Sequence, residues 1–183
     1  MNSMVYFLIV AALIAIWAVT VYNRLVRMRA SKDEGKSGIA VQLKRRYDLI
    51  PNLVAAAKGL SEHEKELMSS VTNARAHLGT GSVKEIEASE NAVASALSRF
   101  IAVAESYPQI KSDSAFNKLM EDLGKIEEDI QLARRYYNGT ARNYNIAVQS
   151  FPSNILASAF GFVKAELFEL TSEKEAEAPV VKF

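Results

Sequence analysis

A chain of 183 residues with no cysteine and a net charge of +1 has room for one domain with an apolar core. That inventory excludes disulfides, thiolate metal ligands, a lipoprotein anchor and cysteine nucleophiles. The near balance of 22 basic and 21 acidic residues creates no global field for nucleic acid, and no nucleic-acid partner is expected.

Residues 4–22, "MVYFLIVAALIAIWAVTVY", hold no formal charge. As a helix this stretch measures roughly 28 Å, enough to cross the hydrocarbon layer. It predicts a transmembrane anchor over 1–23, with Tyr6, Trp17 and Tyr22 as aromatic interface residues. A cleaved signal peptide fits less well, because no basic n-region precedes the run and its exit reads "NRLVRMR" instead of a small-residue cleavage site. The flank is basic: Arg24, Arg27, Arg29, Lys32, Lys36, Lys44, Arg45 and Arg46 stand against Asp33 and Glu34. By the positive-inside rule this side stays in the cytoplasm, with a short N-terminus outside. Contact with anionic lipid headgroups is a further expectation of the same cluster.

Residues 24–38 read as a basic juxtamembrane segment and linker, with "DEGKSG" as its Gly- and Ser-rich break. Its Gly-Lys-Ser is not a phosphate loop, since position 30 is Ala30 where the motif needs glycine, and no apolar strand precedes it. From Ile39 to Leu78 apolar residues recur at three and four, with a kink or restart expected at Pro51 and an end at "HLGTGS". A second helix is predicted from about Ser82 to Ser106, and a third from Asp113 or Ser114 to Ser150. Long amphipathic helices joined by short connections must bury their apolar faces on one another. The predicted fold class is therefore all-α: an N-terminal transmembrane helix followed by an elongated antiparallel three- to four-helix bundle over 39–168, with an extended coiled-coil oligomer as the competing arrangement. After "FPSN", a short helix capped by Ser153 or Asn154 and stopped near Gly161 is expected to bring Phe160, Phe162 and Phe168 onto the bundle, a membrane or a partner. Residues 169–183 read as a flexible charged tail with the apolar end "VVKF".

Chemistry is scarce in this inventory. His63 and His77, fourteen residues apart, would stand about 21 Å from each other on one helix, too far to share a metal. Glu121, Asp122, Glu127, Glu128 and Asp129 flank core positions and read as a solvated face, so no metal or cofactor is expected. Two polar clusters are informative, "QLKRRYDLIPN" and "RRYYNGTARNYN". Arg134, Asn138, Ala141 and Asn145 share one helix face, while Tyr137 and Tyr144 fall on the packing stripe. Buried tyrosine and asparagine require partners, and Arg45, Arg46, Asp48 and Asn52 are the expected suppliers, beside Tyr47. The candidate seam thus comprises Arg45, Arg46, Tyr47, Asp48, Asn52, Arg134, Arg135, Tyr137, Asn138, Tyr144 and Asn145. It reads either as a polar layer that sets helix register or as a binding groove. An enzyme would need Arg45, Asp48, Arg134, Arg135 and Asn138 to converge on one pocket.

"VQLKRRYDLIPNLV" at 41–54, "VAESYPQIKSDSAF" at 103–116, "ARRYYNGTARNYN" at 133–145 and "FPSNILASAFGF" at 151–162 resemble the sequence blocks of the LemA family. The resemblance implies a protein of the bacterial inner membrane, single-pass, with a cytoplasmic helical bundle and no established catalytic residues. Members in magnetosome membranes make a membrane-organising role conceivable. The function expected is that of a membrane-anchored structural or adaptor protein and not an enzyme, with the bilayer as one partner through residues 4–22 and a protein partner or second copy as another. An envelope-stress sensor or membrane-protease partner is the alternative.

Overall fold

The computed structural model describes residues 2–57, 61–78 and 81–168. The charged tail expected at 169–183 lies outside them. Six helices occupy the described residues, α1 (Asn2–Ala56), α2 (Ser61–His77), α3 (Val83–Ala104), α4 (Pro108–Lys111), α5 (Ser114–Gln149) and α6 (Ser153–Ala159), and no strand occurs among these residues. The starts of α3, α5 and α6 fall within a residue of the positions read from the sequence, whereas the single turn of α4 was not foreseen.

α1 runs through 55 residues, about 80 Å at 1.5 Å per residue. Its N-terminal part is the one described helix segment long and apolar enough to cross a membrane. The large apolar side chains there, from Met4 to Val19, are exposed, whereas Leu25, Ile39, Leu43, Tyr47, Ile50 and Leu53 are buried. One helix therefore carries an outward apolar surface at its start and a core-facing stripe from Leu25 onward.

The break expected at "DEGKSG" does not form, and helix continues through residues 33–38. Gly35 explains this. A Cβ added there would lie 3.1 Å from the Cα of Tyr137 and 3.3 Å from Oγ1 of Thr140, so the missing side chain lets α1 and α5 approach closely. That contact offsets the roughly 1 kcal/mol that glycine costs relative to alanine inside a helix.

Pro51 does not restart the helix either, because α1 passes through it to Ala56. Proline has no N–H to give the carbonyl four residues back, which belongs to Tyr47. Arg75 of α2 supplies the missing donor, its Nη2 lying 2.8 Å from the Tyr47 carbonyl oxygen and 2.9 Å from Oδ1 of Asp48. A tertiary hydrogen bond thus replaces the one that the sequence removed.

α2 packs chiefly on α3, and α1 on α5. Ser82 opens α3 with a capping box, its hydroxyl accepting from the Glu85 amide while the Glu85 carboxylate accepts from the Ser82 amide. Asp113 caps α5 by accepting from the amides of Ala115 and Phe116. Cross-helix contacts give the directions: Arg46 meets Glu127, Gly35 meets Tyr137, and Leu25 clusters with Tyr144 and Ala147, so α1 and α5 run antiparallel. Arg75 of α2 reaches residue 47, and Lys36 reaches the carbonyl of Gly81 just before α3, so α2 also opposes α1.

Two apolar clusters result. The larger joins α1 from Ile39 onward with α2, α3, α4 and α5, and includes Phe168. The smaller, at the N-terminal side, consists of Leu25, Tyr144, Ala147, Ala157 and Phe162.

Candidate functional site

Arg46 and Tyr47 are adjacent on α1 and both buried, because they straddle the stripe that also carries Leu43 and Ile50. Their shared partner is Glu90 of α3. Arg46 and Glu90 are each only 2% exposed. Nη1 of Arg46 donates to Oε2 of Glu90 at 3.1 Å and to Oε2 of Glu127 on α5 at 3.0 Å. Nη2 of Arg134 stands 3.6 Å from the same Glu90 oxygen, and the Tyr47 hydroxyl donates to Oε1 of Glu90. Burial, and then the neighbouring Glu90 carboxylate, hold the Tyr47 hydroxyl far above the usual tyrosine range, which keeps it protonated and donating.

This cluster pairs two guanidinium groups with two carboxylates and links α1, α3 and α5. Its buried charges tolerate the interior because each faces an opposite charge at hydrogen-bond or ion-pair distance. Nε and Nη2 of Arg46 and Nε of Arg134 are buried without a hydrogen-bond partner among the described residues. A cavity of about 370 Å³ borders the cluster, walled by Leu97, Ile101, Met120 and Leu123 with Arg46 and Glu127 among its lining.

The second half of the seam lies one to three turns beyond Arg134 along α5. Asn138 and Asn145 are seven residues apart, two helical turns or about 10.5 Å, and share a face. Each side-chain amide pairs with the backbone of a single residue of the segment after α6. Nδ2 of Asn138 donates to the Phe168 carbonyl at 2.9 Å, and the Phe168 amide donates to Oδ1 at 3.0 Å. Asn145 does the same with Ala165, at 2.9 and 2.7 Å. Between them the Tyr137 hydroxyl donates to the Glu166 carbonyl at 2.8 Å, and its ring meets Phe168 edge-on at 5.4 Å.

The spacing accounts for this clamp. Phe162 and Phe168 are buried and Ala165 is half-buried, every third residue, with exposed residues between. That is the periodicity of a polyproline-II path, in which three residues advance about 9.3 Å. Two helical turns and three extended residues nearly match, so both asparagines can grip at once. The segment runs antiparallel to α5, since Phe168 lies at Asn138 and Ala165 at Asn145. Tyr137 is pushed up in pKa by burial first, consistent with its place under this cover.

The sequence-predicted residues therefore divide. Arg46, Tyr47 and Arg134 join the charge cluster, and Tyr137, Asn138 and Asn145 join the clamp, while Tyr144 packs in the small apolar cluster with Lys32 over its ring at 5.6 Å. Arg45, Asp48 and Asn52 do not supply the seam as expected. They are exposed and line an open groove of about 520 Å³ with Asp122 and Lys125, Arg45 pairing with Asp129 and Asp48 with Lys44 and Arg75. Arg135 is exposed. The convergence of Arg45, Asp48, Arg134, Arg135 and Asn138 on one pocket does not occur, because helical periodicity turns residues 45 and 48 away from the buried side. Glu90 was the residue missed; its position among Ile86, Val93 and Leu97 on the α3 stripe is the signal that points to it.

Taken together, the architecture is that of an all-helical protein in which a long apolar N-terminal helix continues into the core, sealed by its own extended C-terminal segment. Residues 35–183 match the LemA family, and the chain belongs to that family. Similar proteins include magnetosome protein MamQ 2 of Paramagnetospirillum magneticum, 28% identical over 188 residues that cover 87% of this chain and 68% of that protein. Magnetosome protein MamQ of Magnetospirillum gryphiswaldense is 26% identical, again over 87% of this chain and 68% of that protein. Protein LemA of Metamycoplasma hominis is 22% identical over 152 residues, covering 80% of this chain and 68% of its own length.

Proposed function

We propose that this chain is a single-pass membrane protein of structural or adaptor type, whose antiparallel helical bundle stands on the cytoplasmic side of a bacterial inner membrane. The observation that carries this reading is the continuity of α1. The same helix offers an exposed apolar surface over residues 4–22 and, from Leu25, packs into the helical core without a linker. A rigid rod of this kind transmits position and orientation from the bilayer to the domain.

Sidedness rests on the basic residues Arg24, Arg27, Arg29 and Lys32 directly after the apolar run. The adaptor assignment rests on how the polar seam is used: Arg46, Glu90, Tyr137, Asn138 and Asn145 bond to other parts of the same chain. Meanwhile Leu132 and Tyr136, one turn apart on α5, present apolar surface outward, suited to a protein partner or a second copy.

The absence of native cysteine makes topology directly testable. Ser3→Cys should react with a membrane-impermeant maleimide in intact cells, and Ser69→Cys only after permeabilisation. Reaction of both in intact cells, or of Ser69→Cys alone, contradicts the orientation. For the adaptor role, a photoreactive residue at Tyr136 should give one discrete crosslinked species in cells, a defined heteromer or a dimer of the chain. No reproducible species from either Tyr136 or Leu132 removes that face as a docking site.

A further inference from the structure

The end of the molecule nearest the apolar run carries large apolar side chains that the fold leaves outside. Phe151 is 80% exposed, Val163 75%, Ile155 60% and Phe160 59%, all within or beside α6. Their height along α1 is defined by contacts. The ring of Tyr22, the last residue of the uncharged stretch, meets Phe160 at 4.9 Å and Phe162 at 5.8 Å, both edge-on. Ala157 of α6 packs in the cluster with Leu25.

The α5–α6 turn reaches higher still. Phe151 and Pro152 line a cavity of about 560 Å³ together with Trp17 and Val21, which lie inside the uncharged stretch. Ile146 of α5 adds a further apolar wall, and Arg24, Asn143, Ser150 and Ser153 are the polar groups of its lining. If residues 4–22 cross a bilayer, a side chain that shares a cavity with Trp17 sits about a turn below the end of that span. The exposed phenylalanine of the turn and the outer face of α6 then meet acyl chains and headgroups instead of water, and their exposure is favourable there. Charge agrees with this placement, since Arg24, Arg27 and Lys164 are exposed at the same end and suit anionic phosphate.

We propose that the α5–α6 turn and the outer face of α6 form a second, non-spanning membrane contact, which seats an anionic phospholipid in the cavity beside α1. The phosphate lies at Arg24, and an acyl chain runs along Trp17, Val21, Ile146 and Phe151. This contact rests on the reading of residues 4–22 as the anchor. It fixes the bundle about two points of the bilayer surface and so prevents it from swivelling about a single helix.

The test uses the full chain in mixed phosphatidylcholine and phosphatidylglycerol vesicles, with lipids brominated near the headgroup end of their chains as tryptophan quenchers. Trp17 is the only tryptophan, so the unaltered chain reports on the anchor. In a Trp17→Phe background, Phe151→Trp and Ile155→Trp report on the proposed contact, and Tyr136→Trp, exposed in the middle of α5, is the reference. Quenching of the reporters at 151 and 155 is expected to be severalfold stronger than at 136. It should also be stronger when the brominated lipid is phosphatidylglycerol than when it is phosphatidylcholine, a difference that Arg24→Gln abolishes. Quenching at 151 and 155 no greater than at 136, while Trp17 is quenched, overturns the second contact and leaves the anchor standing. Absence of quenching at Trp17 as well overturns both. Equal quenching by the two headgroups in the unaltered Arg24 background overturns the anionic site.

Discussion

The two ends of the helical domain are held together by different physics. Far from the apolar run, α1 beyond Lys36 shares one broad apolar core with α2, α3 and α5 as far as Ala141, and the Arg46–Glu90 cluster is set inside it. Near the apolar run, among the described residues, only α1, α5, α6 and one extended segment meet, around a cluster of five buried residues. There, Asn145 bonds the Ala165 backbone as a neighbouring strand would, and Asn138 does the same with Phe168 where this end meets the larger core. A large core tolerates one expensive polar feature, whereas a small one depends on several specific bonds. Disruption should therefore be global at the first end and local at the second.

The largest expected effect is at Glu90. Glu90→Ala leaves Arg46 without its buried partner and should cost about 3–5 kcal/mol, the usual penalty for breaking a buried ion pair from one side. Denaturant unfolding in detergent, followed by circular dichroism, measures it, and the loss should extend through all helices beyond residue 36. A cost below that of an ordinary surface substitution would mean that the cluster is not a tie between helices. At the other end, Asn138→Ala or Asn145→Ala removes two backbone partners at once. Each should cost about 1–3 kcal/mol, as for a buried polar group left unsatisfied. Amide exchange at residues 163–168 should accelerate while α2 and α3 remain protected; uniform acceleration would break the distinction between the two regions.

Tyr47 gives the comparison a pH dependence. Its folded pKa is raised above the ordinary value of 10.0, so the native state keeps a proton that the unfolded state releases at high pH. Its stabilisation is complete below that ordinary value and is lost as pH rises toward the folded one. Stability should accordingly decline above about pH 10, and Tyr47→Phe should make that decline shallower. Identical alkaline slopes in the two proteins would contradict the buried hydrogen bond to Glu90.

The smallest effects concern glycine. A Cβ at Gly139 meets nothing within 4 Å, so Gly139→Ala should raise stability by up to about 1 kcal/mol through helix propensity alone. Gly35→Ala should gain less or lose, because its Cβ presses on the Tyr137 backbone at 3.1 Å. Equal gains at both positions would show that the α1–α5 approach is looser than these contacts imply.

Periodicity made α3 and α5 legible, since their apolar stripes follow from residues three and four apart and their ends carry local caps. The course of α1 was less legible for a physical reason. Gly35 and Pro51 are local helix breakers, and what overrides them lies far away in sequence: the backbone of Tyr137 for one, the guanidinium of Arg75 for the other. The polar seam was half legible. Asparagines seven apart predicted a common face, but their partners lie 20 and 30 residues further on in an extended segment that is neither helix nor strand. Glu90 was hidden among alanines and serines on a stripe whose apolar members drew the reading.

The continuity of α1 is the central claim, and amide hydrogen exchange across residues 30–40 of the full chain in lipid nanodiscs tests it most directly. The account requires slow exchange throughout Asp33–Gly38, comparable with that of Ile39–Tyr47. Rapid exchange confined to Asp33–Gly38 would make that segment a hinge and would uncouple the helical domain from the apolar run.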